Sequence, residues 1–178
     1  QEYETELAGR DCDVSIAGHE NADAAAAADV VVLSVPAYYL SDTIDAVADS
    51  LGDAILVSPA VGMQRDEDGI HYNPPGVGSV TALAAQAVDD VPVVGAFHNL
   101  AAGKLANLDA ELDWDVPIVA DDDDAKATVS ELADGIDGIR PLDAGGLANA
   151  SEVESLTPLL INLAANNEGL HDLGVKFW

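Results

Sequence analysis

Three places in the sequence set polar or conformationally fixed residues directly behind an apolar run: Ser34-Val-Pro36, Ser58-Pro-Ala60 and Phe97-His-Asn99. If those runs are strands of a parallel sheet, these residues stand at its carboxyl edge, where ligands bind in doubly wound α/β folds. For the first two, a pocket wall and plain punctuation weigh evenly, because proline commonly closes a strand. His98 carries more weight, since a histidine directly after a buried strand lands on the binding edge; as a lone histidine it reads equally as a packed one. His19, His71 and His171 are scattered over loops and helix ends without the spacing of metal ligands, so no metal is expected. There is no G-x-S-x-G elbow, and Cys12 has no histidine at readable spacing, so no nucleophile and no catalytic residue is expected. Gly76-Val-Gly-Ser-Val-Thr neither completes G-x-G-x-x-G nor follows a strand, which removes it as a phosphate loop.

The elements that must position these residues are legible as apolar runs. The opening Gln1-Glu-Tyr-Glu-Thr-Glu-Leu-Ala reads as the end of a helix, followed by a short strand at Asp13-Val-Ser-Ile-Ala-Gly and an alanine-rich helix from about Glu20 to Ala28. Asp29-Val-Val-Val-Leu-Ser-Val-Pro is a β-branched run of the kind buried on both faces of a parallel sheet. Leu40, Ile44, Val47, Ala48 and Leu51 form a helical stripe. Further strands are expected at Ala54-Ile-Leu-Val-Ser-Pro, Val91-Pro-Val-Val-Gly-Ala-Phe and Val116-Pro-Ile-Val-Ala, and their alternation with helices predicts βαβ crossovers. Residues 62–78, with four glycines and Pro74-Pro75, read as a long loop that covers a ligand. Asp121-Asp-Asp-Asp caps a helix running to about Ala133, because acidic residues complement a helix N-terminus. The helix around Val153 to Asn167 is apolar over most of its circumference and is expected to be buried, against a second subunit.

Composition narrows the function. The chain has 178 residues, of which 49% are hydrophobic, enough to bury a sizeable core. Its 33 Asp and Glu against six Lys and Arg give a formal net charge of −27, which repels polyphosphate and makes nucleic acid and anionic membranes poor partners. Self-repulsion on this scale suits a salt-rich cytoplasm, where the Debye length falls to about 3 Å at 1 M. One cysteine precludes an internal disulfide, and no apolar run reaches the length of a bilayer span.

Several segments carry a family resemblance: Val30-Val-Val-Leu-Ser-Val-Pro36, Ala54-Ile-Leu-Val-Ser-Pro-Ala-Val-Gly62, Gly95-Ala-Phe-His-Asn-Leu-Ala-Ala-Gly103, Asp137-Gly-Ile-Arg-Pro-Leu-Asp-Ala-Gly145 and Val153-Glu-Ser-Leu-Thr-Pro-Leu-Leu160. Together with Leu105-Ala-Asn-Leu-Asp109 and Asp113-Trp-Asp-Val-Pro117, they resemble the NADPH-dependent F420 reductase family, particularly its haloarchaeal members. The resemblance implies an α/β, Rossmann-type doubly wound parallel sheet, incomplete because the family's first strand and glycine-rich loop are missing from this chain. It also implies a small α-rich C-terminal domain. Residues 1–103 would be the dinucleotide-binding domain, and residues 104–178 would form the dimer contact and the wall of the cofactor cleft. It further implies hydride transfer between NADP(H) and coenzyme F420 by a cytoplasmic homodimer.

Site positions follow from the same resemblance. Val35 and Pro36 match the strand end along the dinucleotide, His98 and Leu100 match residues lining the cleft where two rings stack, and Ser155 and Thr157 match polar residues near those rings. Val35, Pro36 and Leu100 would be apolar walls, with His98, Ser155 and Thr157 hydrogen-bonding. Where some relatives place an arginine before the Val-Glu-Ser-Leu-Thr segment, this chain has Ser151. Hydride transfer needs a dry slot holding donor and acceptor carbons about 3 to 3.5 Å apart, without an obligatory acid or nucleophile. Two alternatives stand beside this reading: a related NADPH-dependent reductase with another acceptor, and a non-catalytic remnant that folds or dimerises without binding NADP.

Overall fold

The computed structural model describes residues 15–178. A five-stranded sheet in the order β1-β2-β5-β6-β7 forms the centre, built from β1 (Val30–Val32), β2 (Ile55–Ser58), β5 (Val93–Gly95), β6 (Trp114–Ala120) and β7 (Ile139–Asp143). β1 and β2 run parallel with Val30 opposite Ile55, and β2 and β5 run parallel with Leu56 opposite Val93. Helices α1 (Asn21–Ala26), α2 (Leu40–Val47), α3 (Val80–Gln86) and α5 (Asp123–Asp134) flank the sheet.

Alternation along the strands divides the core into two layers. Leu56 and Val93 pack with Leu40 and Ile44 of α2 and Val80 and Ala84 of α3, whereas Val57 and Val94 pack with Val116, Ile118, Val129 and Ala133. Successive side chains point to opposite faces of a strand, so both faces are covered at the central strands β2, β5 and β6, while β1 and β7 at the edges are part exposed, and the doubly wound architecture is realised. Leu40 and Ile44 have no exposed surface, and each buried aliphatic side chain of this size contributes about 1.5–3 kcal/mol. Asp122 caps α5 by accepting from the Ala125 amide at 2.7 Å, which is the role expected for the aspartate run.

The sheet departs from the all-parallel expectation at one junction. β5 and β6 are antiparallel, with Val94 opposite Ala120 and Gly95 opposite Val119. The link between them contains only the four-residue α4 (Ala102–Leu105). Parallel strands usually need a full crossover helix between them, and without one β6 returns in the opposite sense. β7 then pairs parallel with β6. The sheet therefore runs across residue 103/104, because β6 and β7 lie beyond that point.

Three other expectations change. Residues 62–78 contain a hairpin, β3 (Met63–Asp66) with β4 (Gly69–Tyr72), in place of an irregular loop. An amide clamp ties it to the last helix: Asn162 Oδ1 accepts from the Ile70 amide at 2.9 Å and its Nδ2 donates to the Ile70 carbonyl at 2.6 Å. Ser15 to Gly18 form no strand and lie exposed, while Asp13 and Val14, like the helix expected at Gln1 to Ala8, lie outside the described residues. A run whose one large apolar residue, Ile16, is 40% exposed has no buried face to hold it in a sheet. The apolar C-terminal segment divides into α6 (Ala150–Glu154) and α7 (Leu156–Asn166), and α7 is not buried within the chain. Pro158 alone is fully covered in α7, and Leu159 and Leu163 face solvent.

Candidate functional site

β1, β2 and β5 point their carboxyl ends the same way, as parallel pairing requires. A cleft of about 400 Å3 opens there, with Val35 and Pro36 after β1, Pro59 and Ala60 after β2, and His98 and Leu100 after β5 on its walls. Four residues singled out in the sequence thus meet at one place although more than sixty positions separate the two pairs. A second cleft of about 320 Å3 adjoins it, sharing His98 and Leu100 and bounded by Thr157, Leu160, Ile161 and Ala164 of α7. Thr157 fixes this junction by donating from Oγ1 to the His98 carbonyl at 2.6 Å. Ser155 does not join: its hydroxyl donates to the Glu152 carbonyl at 2.8 Å, and it lines neither cleft.

The turn that delivers His98 is conformationally unusual. Phe97 has φ +67°, the left-handed region, which costs a side-chain-bearing residue roughly 1–2 kcal/mol. The turn closes with the Leu100 amide donating to the Phe97 carbonyl at 3.3 Å. His98 itself is 4% exposed, and burial lowers its imidazole from the ordinary 6.5 to about 4, so it is neutral at physiological pH. Its Nε2 lies 3.3 Å from Thr81 Oγ1.

Behind His98 stands a buried carboxylate that sequence reasoning did not single out. Glu154 has no exposed surface. Its Oε1 accepts from the Thr81 amide and the Thr81 hydroxyl, both at 2.9 Å, and its Oε2 from the Val80 amide at 3.0 Å and the Tyr72 hydroxyl at 2.9 Å. The carboxylate satisfies the first amides of α3, a favourable place for a negative charge. Burial, and then the Glu154 charge, push the Tyr72 phenol upward, so it stays protonated and able to donate. The sequence held one usable signal, an acid inside an otherwise apolar helical stripe, but among 33 acidic residues it does not stand out.

Three buried side-chain atoms have no hydrogen-bond partner among the described residues: Ser58 Oγ, His98 Nδ1 and Asn99 Oδ1. All three belong to the carboxyl ends of β2 and β5. Buried polar atoms are normally paired; two of these orphans, on His98 and Asn99, belong to residues that line a cleft, and the third, on Ser58, does not. Apolar walls with a few convergent polar groups are the usual make-up of a cofactor pocket. Among the described residues no group of three or more His, Cys, Asp or Glu is arranged to hold a metal ion, and no helix is long and apolar enough to cross a membrane.

A second buried carboxylate lies elsewhere in the sheet. Asp115 on β6 accepts a fork from Arg140 on β7, Nε to Oδ1 at 2.8 Å and Nη2 to Oδ2 at 2.6 Å. The Phe177 amide also donates to Oδ2 at 2.6 Å, and Arg140 Nη2 donates to the Phe177 carbonyl at 2.6 Å. Arg140's hydrogen bonds, assisted by that of Phe177, hold the Asp115 carboxyl at about 2. The assembly staples the C-terminal segment to the sheet.

A doubly wound sheet with a polar-spotted apolar cleft at its strand ends defines a Rossmann-type α/β protein. The comparisons agree and go further. Residues 2–62 match the family model described as NADP oxidoreductase, coenzyme F420-dependent. An F420-dependent NADP reductase from Methanothermobacter thermautotrophicus is 39% identical over 96% of this chain and 75% of the relative. Another F420-dependent NADP reductase, from Methanocaldococcus jannaschii, is 37% identical over 88% of this chain and 71% of the relative. The fold is shared with a crystal structure from an Arthrobacter species, assigned as a candidate F420-dependent NADP reductase, at TM-score 0.79 and 23% identity over 90% of this chain and 74% of that one. The chain belongs to the F420-dependent NADP reductase family.

Proposed function

We propose that this chain carries out hydride transfer between NADP(H) and coenzyme F420, as the names of its relatives indicate. The observation that carries the reading is the pair of adjoining clefts that share His98 and Leu100 as a common wall. Two planar ring systems need such a site, one resting on the strand ends and the other reaching it from the side of α7. The bound cofactors supply the hydride donor and acceptor. The protein's own part is to orient and to exclude water.

Val35, Pro36 and Leu100 serve as apolar walls, and burial of His98 keeps that wall uncharged. His98 and Thr157 set orientation by hydrogen bonding. Ser155 takes part only by releasing the Glu152 carbonyl. Two of the residues with an orphaned polar atom, His98 and Asn99, line the clefts, whereas Ser58 lines neither. The division at 103/104 is a functional one, since residues beyond it bring α7 to the second cleft. The exposed Leu159 and Leu163 on α7 support a homodimer formed through that helix. The acidic surface supports a cytoplasmic enzyme of haloarchaeal type, without nucleic-acid or membrane partners. Neither a different acceptor nor a non-catalytic remnant is favoured by the family membership.

The test is NADPH oxidation with F420 in concentrated KCl, followed at the F420 absorbance. Turnover by this chain, or by the chain extended at its N-terminus, is expected; none by either overturns the proposal. Because both cofactors are polyanions, their affinity is expected to rise from dilute to molar KCl as repulsion is screened.

A further inference from the structure

The hydroxyl of Thr81 touches two groups at once, Glu154 Oε1 at 2.9 Å and His98 Nε2 at 3.3 Å. It owns a single proton. The ionised Glu154 carboxylate has no proton to give and can only accept, and each of its oxygens also takes a main-chain amide, the environment that favours the ionised form. The Thr81 proton is therefore committed to Glu154, and what Thr81 turns to His98 is a lone pair. Nε2 must bring its own proton to make that bond.

We propose that Glu154 and Thr81 are positioning residues that hold His98, which lines both clefts, as the Nε2-protonated tautomer, leaving its Nδ1 as an unengaged buried acceptor. The state of Nδ1 agrees, for it is buried and has no partner among the described residues. Tyr72 secures the far end of the relay through Glu154 Oε2, and Thr157 secures the His98 main chain, so ring and backbone are both fixed. The bearing of the tautomer on cofactor orientation rests on the function proposed above; the tautomer itself does not. Which nitrogen is protonated decides whether the free nitrogen of His98 accepts or donates a hydrogen bond, and so whether it suits an amide's N–H or its carbonyl.

The test uses the whole chain labelled with 15N in its imidazoles, without cofactor, in molar KCl at neutral pH. Long-range 1H–15N spectra separate the two tautomers, and the His98→Gln variant assigns the signal. The expected result is a pyrrole-like Nε2 and a bare, pyridine-like Nδ1. Thr81→Val is expected to shift the tautomer ratio toward Nδ1–H by roughly fivefold to tenfold, the worth of one net hydrogen bond, and Thr81→Ser to restore it. Glu154→Leu, if folded, is expected to shift the ratio in the same direction, because the Thr81 proton is then free to point at His98. Nδ1 protonation in the unaltered chain, or an unchanged ratio in Thr81→Val, overturns the relay; an unchanged ratio in folded Glu154→Leu overturns the part given to Glu154. If Glu154→Leu does not fold, the Thr81 pair alone decides. An intact tautomer pattern in a chain without hydride transfer sinks the proposed function and leaves this inference standing.

Discussion

Glu154 and Asp115 are both carboxylates without exposed surface, yet they are stabilised by opposite means. Glu154 is held by neutral donors alone: two amides, a hydroxyl and a phenol. Asp115 is held by the guanidinium of Arg140 and an amide, with the Lys176 ammonium 3.5 Å away. A charge-assisted fork is stronger and more self-contained than neutral hydrogen bonds, and it ends where it begins. The neutral set passes a constraint onward, because each hydroxyl that donates to Glu154 keeps lone pairs for another partner. Asp115 thus clips a chain end to the sheet, and Glu154 reaches a cleft wall through Thr81.

The comparison is most severely tested by removing each acid. Glu154→Ala leaves the Val80 and Thr81 amides buried without an acceptor, while the Thr81 and Tyr72 hydroxyls can turn to His98 and to the Gly78 carbonyl, and is expected to cost about 3–5 kcal/mol, read as a lowered urea midpoint in molar KCl. If it costs less than Asp115→Ala, the neutral set is not the more dependent one. Acid titration separates the next effect. Burial depresses His98, so the unfolding chain takes up a proton that the folded chain refuses. Stability is then full above the ordinary 6.5 and drains between 6.5 and about 4, by about 3 kcal/mol. His98→Gln should flatten that window, and an unchanged profile would show that His98 is not buried neutral. Asp115, also depressed, contributes in a lower window, with stability lost as pH falls from 3.8 to about 2.

Asp115→Ala itself is expected to cost about 2–3 kcal/mol, less than the Glu154 variant because half of the Arg140 side chain already meets solvent and can rehydrate. Limited proteolysis should then release the C-terminal segment first. The smallest effect belongs to Lys176→Met. Its 2.6 Å pair with the largely exposed Asp113 is a solvent-screened surface contact, and the small loss should shrink further as KCl rises.

Much of the frame was legible because local chemistry decides it. Val30–Val32, Ile55–Ser58 and Val93–Gly95 are strands on β-branched content alone, and His98 could be placed at the binding edge from its position after such a run. β7 was not legible, because Pro141 argues against a strand, although at the sheet edge, where β7 lies, one side of the strand needs no N–H partner. The hairpin hid for a different reason: Met63–Asp66 is exposed throughout and carries no alternation. The partners of Glu154 and Asp115 were out of reach altogether. Glu154 meets its amide partners across more than seventy residues, and Asp115 meets Phe177 across 62. Such pairings are products of the completed topology and leave no mark in any window of sequence.

Clipping Phe177 to Asp115 and Arg140 leaves the next residue, Trp178, fully exposed, while the chain's other indole, Trp114, is 7% exposed with the Lys104 ammonium 5.1 Å from its ring. The protein thereby carries two natural optical reporters at opposite extremes of solvent contact. An aqueous collisional quencher should darken one half of the emission and spare the other, and the spared half becomes a running gauge of whether the sheet beneath it is still closed.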